Sequence, residues 1–244
     1  MSDSPLPRPA DAPFDAAWFT TGVHPRRASL WRGVEAQHVV STMRLVDSAA
    51  EQQVLEQLIE GSKPPLPAGA EGGHYLLTTP FRYRPRHASR FRRAGTPGLW
   101  YGGETLRVAC AEVAYWRWRF LCDSDAFAGA ALHTQHTFYR AQVDGAAVDL
   151  TKPPWAASAA VWRHPSDYGG CQRLAAAAAE RAVAWIRYAS AREPHGFCGA
   201  VLAPAALSLK PGFVQQTWAC KTTAAGVWLR HDDDAFSFDA GAWV

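Results

Sequence analysis

The spacing of apolar residues along the chain predicts three helices. Ser48 and Glu51 have the spacing of a capping box, and the apolar stripe behind them recurs every three or four residues until Gly61. A second helix is predicted to open near Glu104, where apolar and aromatic residues surround a single carboxylate. The third is the alanine-rich stretch Cys171–Ala189, whose composition favours one continuous helix.

Apolar runs and alternating patterns between these helices predict short strands. The predicted strands are Ser29–Val34, His74–Thr79, Leu99–Tyr101, Ala131–Val143, Ala146–Leu150, Phe197–Leu202, Val214–Trp218 and Val227–Arg230. Asp144-Gly145 predicts a tight turn between two of them, and the ordered pattern is expected to end at Asp232–Asp234. Short strands mixed with three helices, without regular strand–helix alternation, predict an α+β fold. We expect one compact domain with a mixed β core and flanking helices over residues 15–244, preceded by a flexible arm over residues 1–14.

Composition narrows the class of protein. The chain has 244 residues, 48% of them hydrophobic, and 11 tryptophans, which excludes a disordered protein. Its formal net charge of +3 is too small to require nucleic acid or an anionic membrane as a partner. No apolar run approaches the roughly 20 residues that span a bilayer, and the first residues have no signal-peptide core. We therefore expect a cytoplasmic protein that does not bind membranes.

The cysteines and histidines do not predict a metal or redox site. The five cysteines are scattered, without a C-x-x-C pair, and are expected to be reduced thiols. His133 and His136 are three residues apart on a predicted strand, so their side chains face opposite sides of it. We expect both to be core or solvated histidines, and we expect no metal.

Six arginines are interleaved with aromatic residues between Phe81 and Arg93, which allows two interpretations. The first is a nucleic-acid-binding surface, where arginines contact phosphates and aromatic rings stack on bases. The second is a strand edge and loop whose arginines line a pocket for a smaller anion. The low net charge and the lack of a comparable basic patch elsewhere favour the second interpretation.

Glu112 is the most unusual carboxylate of the sequence. On a helix, its neighbours at three and four residues are all apolar or aromatic: Val108, Ala109, Tyr115 and Trp116. A carboxylate among such residues is costly unless a partner satisfies it. Spacing alone leaves two interpretations open, a structural ion pair with an arginine and a catalytic carboxylate.

Seven short motifs, in order, make the sequence resemble the RES-domain family, which is named for an arginine, a glutamate and a serine. The motifs are Arg32 in LWRGV, Arg90-Phe91, Gly98–Tyr101, Ala111-Glu112, Asp167-Tyr168, Gln172 with Leu174-Ala175, and Ser190–Arg192. The resemblance extends from about Arg32 to Trp218. It departs from the family around Arg90, where Ala88-Ser89 and Arg92 stand in places that often hold Gly-Gly and Asn.

The resemblance implies a fold similar to the ADP-ribosyltransferases of the diphtheria-toxin type, with residues 15–244 as an NAD-binding catalytic domain. The family includes toxins of RES–Xre toxin–antitoxin pairs that cleave the nicotinamide–ribose bond of NAD+, with phosphate, water or a protein side chain as acceptor. NAD+ is then a substrate, inorganic phosphate a candidate co-substrate and a cognate Xre-like antitoxin a partner, with no further cofactor. The alternative functions are ADP-ribosylation of a protein target and nucleic-acid binding through Arg82–Arg93.

The same resemblance implies roles for individual residues. Glu112, Arg32 and Ser190 are the implied catalytic residues, and Arg90 and Tyr101 the implied substrate-binding residues. The chemistry agrees with these roles, because breaking the bond builds positive charge on a ribose, which a carboxylate stabilises. Arginines suit the pyrophosphate, since the planar guanidinium binds phosphate oxygens in pairs.

Overall fold

The computed structural model describes residues 13–36, 45–127 and 129–243. Within these ranges the strands are β1 (Val23–Glu35), β2 (Trp100–Gly103), β3 (Leu132–Asp149), β4 (Trp185–Ala189), β5 (Phe197–Val201), β6 (Leu207–Ser208), β7 (Gln215–Thr223), β8 (Gly226–His231) and β9 (Asp234–Asp239). The α-helices are α1 (Trp18–Thr21), α2 (Ala49–Ser62), α3 (Tyr75–Arg82), α4 (Leu106–Cys122), α5 (Ala159–Trp162) and α6 (Gly169–Glu180). Short 3-10 turns cover Asp125–Phe127, Trp155–Ser158, Pro204–Ala206 and Ala240–Ala242.

One mixed sheet forms the frame of the protein. β1 and β3 pair antiparallel along the whole of β1, from Val23 opposite Val148 to Glu35 opposite His136. At one end of β3 the pairing continues through β4 and β5 to β2, which returns to β1 and closes these five strands on themselves. At the other end β3 pairs with β7, followed by β8 and β9. Strands of both directions with helices packed on them confirm the predicted α+β fold.

The core lies in three apolar clusters on the faces of this sheet. α4 covers one face, with Trp118 packed among residues of β3, β7 and β8 such as Phe138 and Trp218. α6 covers a second, where Leu174 packs with Ile186 and other residues of β4 and β5. The third cluster surrounds Trp100 between β1, β3 and α3.

The structure corrects the prediction of a strand at His74–Thr79, which belongs instead to helix α3. The His74 ring accepts a hydrogen bond from the Leu76 amide at 3.2 Å and caps the helix. Leu77, Thr78 and Phe81 are its buried residues, and their spacing is helical. The run HYLLTT is too short for its apolar pattern to distinguish the two structures.

The predicted helix Cys171–Ala189 is also wrong in its second half. α6 ends at Glu180, Ala182 adopts a positive φ of 56°, and the chain returns as strand β4. β4 lies between β3 and β5, so four of its five residues are buried. Burial on both faces of a central strand therefore outweighs the helical preference of the preceding alanines.

Two predicted breaks in the strand pattern are wrong. Asp144-Gly145 lies inside the continuous strand β3, where both residues pair with β1 and Asp144 forms an ion pair with Arg27. Asp232, with a positive φ of 52°, begins the tight turn from β8 to β9 rather than the end of the ordered chain. At Asp144-Gly145, pairing with β1 outweighs the local turn signal, whereas at Asp232 the turn leads into a further strand that the sequence pattern did not predict.

Other predicted elements are confirmed with shifted ends. Ser48 caps α2 by accepting the Glu51 amide at 3.2 Å, and the strands at Ser29–Val34, Phe197–Leu202 and Val227–Arg230 are present. Residues 1–12 of the predicted arm lie outside the described residues, whereas Phe14 packs against Trp155. No helix in the described ranges is both long and apolar enough to cross a membrane.

Candidate active site

A cavity of about 390 Å³ opens between β1, β2, α4 and the segments around residues 89, 168 and 192. This volume is in the range of pockets that hold small molecules and cofactors. It is lined by Trp31, Arg32, Gly33, Glu35, Ser89, Arg90, Tyr101, Gly102, Gly103, Ala109, Glu112, Val113, Trp116, Arg117, His136, Tyr168, Tyr188, Arg192 and Cys198. The cavity therefore combines aromatic walls with four arginines and two carboxylates.

Helix α4 brings Glu112 to this cavity. Thr105 caps the helix by accepting the Val108 amide at 3.2 Å, and small residues such as Ala111 and Ala114 are fully buried against the sheet. A Cβ on Gly103 of β2 would lie 2.7 Å from the Ala109 amide nitrogen, so glycine permits this close approach of strand and helix. Because the helix packs closely on the sheet, the Glu112 side chain lies in the cavity beside residues of β1, β2 and β5.

Glu112 is held by neutral donors. The Ser190 hydroxyl donates to Glu112 Oε1 at 2.9 Å, and the Cys198 thiol approaches the same oxygen at 3.6 Å. Within the described residues Oε2 has no hydrogen-bond partner, and Glu112 forms no ion pair. The described residues therefore contain no ion pair between Glu112 and an arginine, the structural alternative that spacing had left open.

Ser190 connects Glu112 to the loop that follows β4. Its hydroxyl oxygen accepts the amides of Arg192 and Glu193 at 3.0 and 3.1 Å, while its hydroxyl hydrogen is directed to Glu112. The side chain is buried. With all of its hydrogen-bonding groups in use, Ser190 orients the carboxylate and the loop at the same time.

Arg32 enters the cavity from β1. One of its terminal nitrogens donates to the Tyr101 carbonyl at 3.0 Å, and the guanidinium lies 5.6 Å from the centre of the Trp100 ring. Its Nε is buried without a hydrogen-bond partner in the described residues, and burial lowers the pKa of the side chain. Within the described residues Arg32 forms no ion pair, so it brings an uncompensated guanidinium to the cavity wall.

Arg90 is also at the cavity wall, but its guanidinium contacts the protein. One nitrogen donates to the carbonyls of Trp162 and His164, both at 2.9 Å, and the group lies 4.8 Å from the centre of the Tyr168 ring. Tyr101 also contacts the protein, because its hydroxyl forms a hydrogen bond with the Ser89 hydroxyl at 2.8 Å. Burial raises the pKa of Tyr101. Both residues line the cavity, and both also fix the segment that bounds it.

Tyr188 and Cys198 complete the inner wall of the cavity, and Trp116 lies at its rim. Tyr188 of β4 packs against Phe91 at 4.8 Å between ring centres, and burial raises its pKa well above the ordinary value. Burial and the nearby Glu112 carboxylate also raise the pKa of the Cys198 thiol, so both groups are neutral donors. Trp116 of α4 is 51% exposed and lies at the rim.

Sequence reasoning missed several residues of the cavity. Tyr168 and Arg192 were part of the resembling motifs, but those motifs assigned them no role. The ion pair of Arg117 with Glu35, at 2.9 Å, joins α4 to β1 across 82 positions of sequence, so no local pattern predicts it. Of the two expected placements for His136, core or solvated, the structure shows a buried side chain, which also forms part of the wall.

The described residues contain no cluster of three or more histidine, cysteine, aspartate or glutamate side chains suited to a metal ion. The five cysteines are free thiols. The cavity lining includes two carboxylates, Glu112 and Glu35, together with four guanidinium groups and aromatic rings.

A family model described as the RES domain matches residues 66–223. A chain of the crystal structure of the M. tuberculosis MbcT–MbcA toxin–antitoxin complex is 15% identical, with a TM-score of 0.47, and the match covers 93% of each chain. No curated protein matches the sequence.

Proposed function

Because the chain belongs to the RES-domain family, we propose that it is an enzyme that cleaves the nicotinamide–ribose bond of NAD+ and acts as the toxin of a toxin–antitoxin pair. The observation that carries the proposal is the state of Glu112. Its carboxylate lies in a cavity, oriented by Ser190 and without a counter-cation in the described residues.

Glu112 has the geometry needed to stabilise a ribosyl cation. Two donors hold Oε1, which leaves Oε2 for a ribose hydroxyl or for the developing positive charge. A carboxylate that has no ion-pair partner interacts strongly with a cation in a partly buried site. Catalysis of this kind needs charge stabilisation and exclusion of water, and it needs no metal.

The other walls suit the remaining parts of the dinucleotide. Arg32 offers a half-buried guanidinium to the pyrophosphate, and it forms no ion pair within the described residues. Tyr101 and Tyr188 present rings beside Glu112, where the nicotinamide would stack before it leaves. Arg90 adds a fixed positive charge at the same wall, although one of its nitrogens serves two backbone carbonyls.

The test is incubation of purified protein with NAD+, with and without inorganic phosphate, followed by mass spectrometry of the products. Free nicotinamide with ADP-ribose indicates hydrolysis, and nicotinamide with a phosphorylated ADP-ribose indicates phosphorolysis. An added ADP-ribose mass on a protein would support the alternative, transfer to a protein target. If no nicotinamide is released under any of these conditions, the proposed activity is wrong.

The decisive variant is Glu112→Gln, which removes the charge at nearly constant volume. We expect nicotinamide release to fall at least about 100-fold, the scale of losing one electrostatic contact to a transition state. Glu56→Gln on the exposed helix α2 is the matched control and is expected to keep the normal rate. Equal activity of Glu112→Gln and Glu56→Gln would refute the catalytic role.

An antitoxin that covers the cavity is part of the same proposal. Trp116 and Phe120 are 51% and 52% exposed, lie one helical turn apart on α4, and Trp116 borders the cavity. A protein partner that buries them would also close the entrance. Expression of the chain alone should arrest growth, and co-expression of the protein encoded by the neighbouring gene should restore it.

A further inference from the structure

The four arginines that line the cavity differ in what their guanidinium groups contact. Arg32 and Arg90 donate to backbone carbonyls, and Arg117 pairs with the Glu35 carboxylate. The guanidinium of Arg192 has no hydrogen-bond or ion-pair partner within the described residues. All five of its N–H donors are therefore free for a ligand.

Arg192 is nevertheless held in place. Its guanidinium carbon lies 3.3 Å from the centre of the Tyr115 ring, and Tyr115 is one helical turn beyond Glu112 on α4. Stacking fixes the plane of the guanidinium and leaves its edge, which carries the donors, unoccupied. The side chain is half-buried, so the group is open to the cavity.

The backbone of Arg192 is fixed as well. Its amide donates to Ser190 Oγ at 3.0 Å, and the Ser190 amide donates to the Gly196 carbonyl at 2.8 Å, which closes the loop 190–196. Glu193 pairs with Arg107 of α4 at 2.8 Å. The same serine hydroxyl thus sets the positions of the Glu112 carboxylate and of the arginine two residues later.

We infer that Arg192 is a phosphate-binding residue of this cavity, aligned by Tyr115 and Ser190 with the Glu112 carboxylate. A fixed, planar and unpaired guanidinium is the group that binds a phosphate oxygen pair in bidentate fashion. The inference rests on the proposed function for the origin of the phosphate, which is either the pyrophosphate of NAD+ or an inorganic phosphate acceptor. The chemistry is the same for both.

Arg192→Gln separates the two sources. Loss of a charge-assisted contact should raise one Michaelis constant by about 10- to 100-fold. A rise in the KM for NAD+ places the pyrophosphate on Arg192, and a rise in the KM for phosphate alone places the acceptor there. If neither constant changes by more than about twofold relative to Arg119→Gln, an exposed arginine of α4 outside the cavity, the inference is wrong.

Two further variants separate binding from a structural role. Arg192→Lys retains the charge without the fork and should recover part of the affinity. Tyr115→Leu removes the stacking surface and should raise the same KM, whereas Tyr115→Phe should leave it unchanged. Equal effects of Tyr115→Leu and Tyr115→Phe would contradict the alignment by stacking.

Direct binding makes the inference independent of turnover. Calorimetric titration with inorganic phosphate, pyrophosphate and ADP-ribose should show at least one ligand that Arg192→Gln weakens about 10-fold or more. Binding without NAD+ cleavage would remove the proposed function and keep the phosphate site. If wild type and Arg192→Gln bind all three equally, or wild type binds none, the phosphate site is refuted.

Discussion

Two arginine-bearing segments border the cavity, and they use their charge in opposite ways. In residues 82–93, Arg90 and Arg92 are buried and donate to backbone carbonyls, including those of Trp162 and Pro85. In the loop 190–196, the Arg192 guanidinium has no such acceptor within the described residues. The segment that is conspicuous in the sequence thus uses its arginines largely to fold, and the inconspicuous loop keeps its guanidinium for a ligand.

The difference shows that positive charge in a sequence does not measure capacity to bind an anion. A guanidinium that donates to buried carbonyls satisfies backbone groups that no helix or strand pairs. Those carbonyls would otherwise lack hydrogen-bond partners. Gln172 of α6 acts in the same way, donating to the Ser89 and Arg92 carbonyls. The available donors, rather than the number of arginines, decide which segment recognises a ligand.

The largest expected effect is on the free energy of unfolding, and it tests the difference between arginines that pair with carbonyls and arginines with free donors. Arg90→Met removes two charge-assisted hydrogen bonds and leaves the Trp162 and His164 carbonyls unpaired, which should cost about 4 kcal/mol in the free energy of unfolding. Arg192→Met removes a half-exposed guanidinium with a stacking contact and should cost less than about 1 kcal/mol. Urea denaturation of both variants measures the contrast, and equal losses would refute the division.

The same division explains how much of the site the sequence could predict. Four of the five residues to which the resemblance gives a role, Arg32, Glu112, Arg90 and Tyr101, line one cavity, while the roles themselves stay predictions. Ser190 does not line the cavity but donates a hydrogen bond to Glu112 from the protein side. The sequence does not show which of these two positions a serine takes. No sequence pattern shows whether an arginine will meet a carbonyl or remain free, so the contrast between Arg90 and Arg192 required the structure.

Local sequence signals predicted the elements whose caps and burial depend on neighbouring residues. They did not predict the elements whose conformation depends on pairing with a distant strand. The capped helix α2 and the apolar strand β5 were predictable, because a capping box and a continuous apolar run are visible in adjacent residues. β4 and the middle of β3 were not, since their conformations depend on pairing with residues more than 100 positions away in β1 or on both flanking strands. Register across such distances has no local signature.

A second prediction extends the comparison to His136, a cavity residue that belongs with the structural groups. Burial, with a smaller contribution from Arg117, lowers its pKa from 6.5 to about 4, while Glu35 acts in the opposite direction. The folded state therefore holds the neutral ring, and its contribution to stability is complete above the ordinary pKa and is lost as the pH falls toward 4. The loss should reach about 3 kcal/mol across that window.

The measurement is the free energy of unfolding of wild type and His136→Gln at several pH values between 7 and 4. The glutamine variant lacks the titrating ring, so the difference between the two proteins should shrink as the pH falls. Parallel curves for the two proteins would show that His136 is not held neutral. Near-ultraviolet circular dichroism at pH 7 checks that the variant keeps its native packing.

The smallest expected effect concerns the arginines of residues 82–93 that are not used by the fold, and it decides the nucleic-acid alternative. Arg82 pairs with Glu60 at 3.1 Å, and Arg90 and Arg92 serve carbonyls, which leaves Arg84, Arg86 and Arg93. A protein that binds nucleic acid through its charge alone neutralises about 6–10 phosphates, and its affinity falls steeply with salt. Three guanidinium groups fall short of that number, so we expect no binding of labelled RNA or DNA at about 0.15 M salt.

The triple glutamine variant at these positions should cleave NAD+ within about twofold of the wild-type rate, and its free energy of unfolding should lie within about 1 kcal/mol of the wild-type value. Salt-dependent binding by wild type that the triple variant loses would instead make this segment a nucleic-acid surface, and its arginines would no longer be mainly structural.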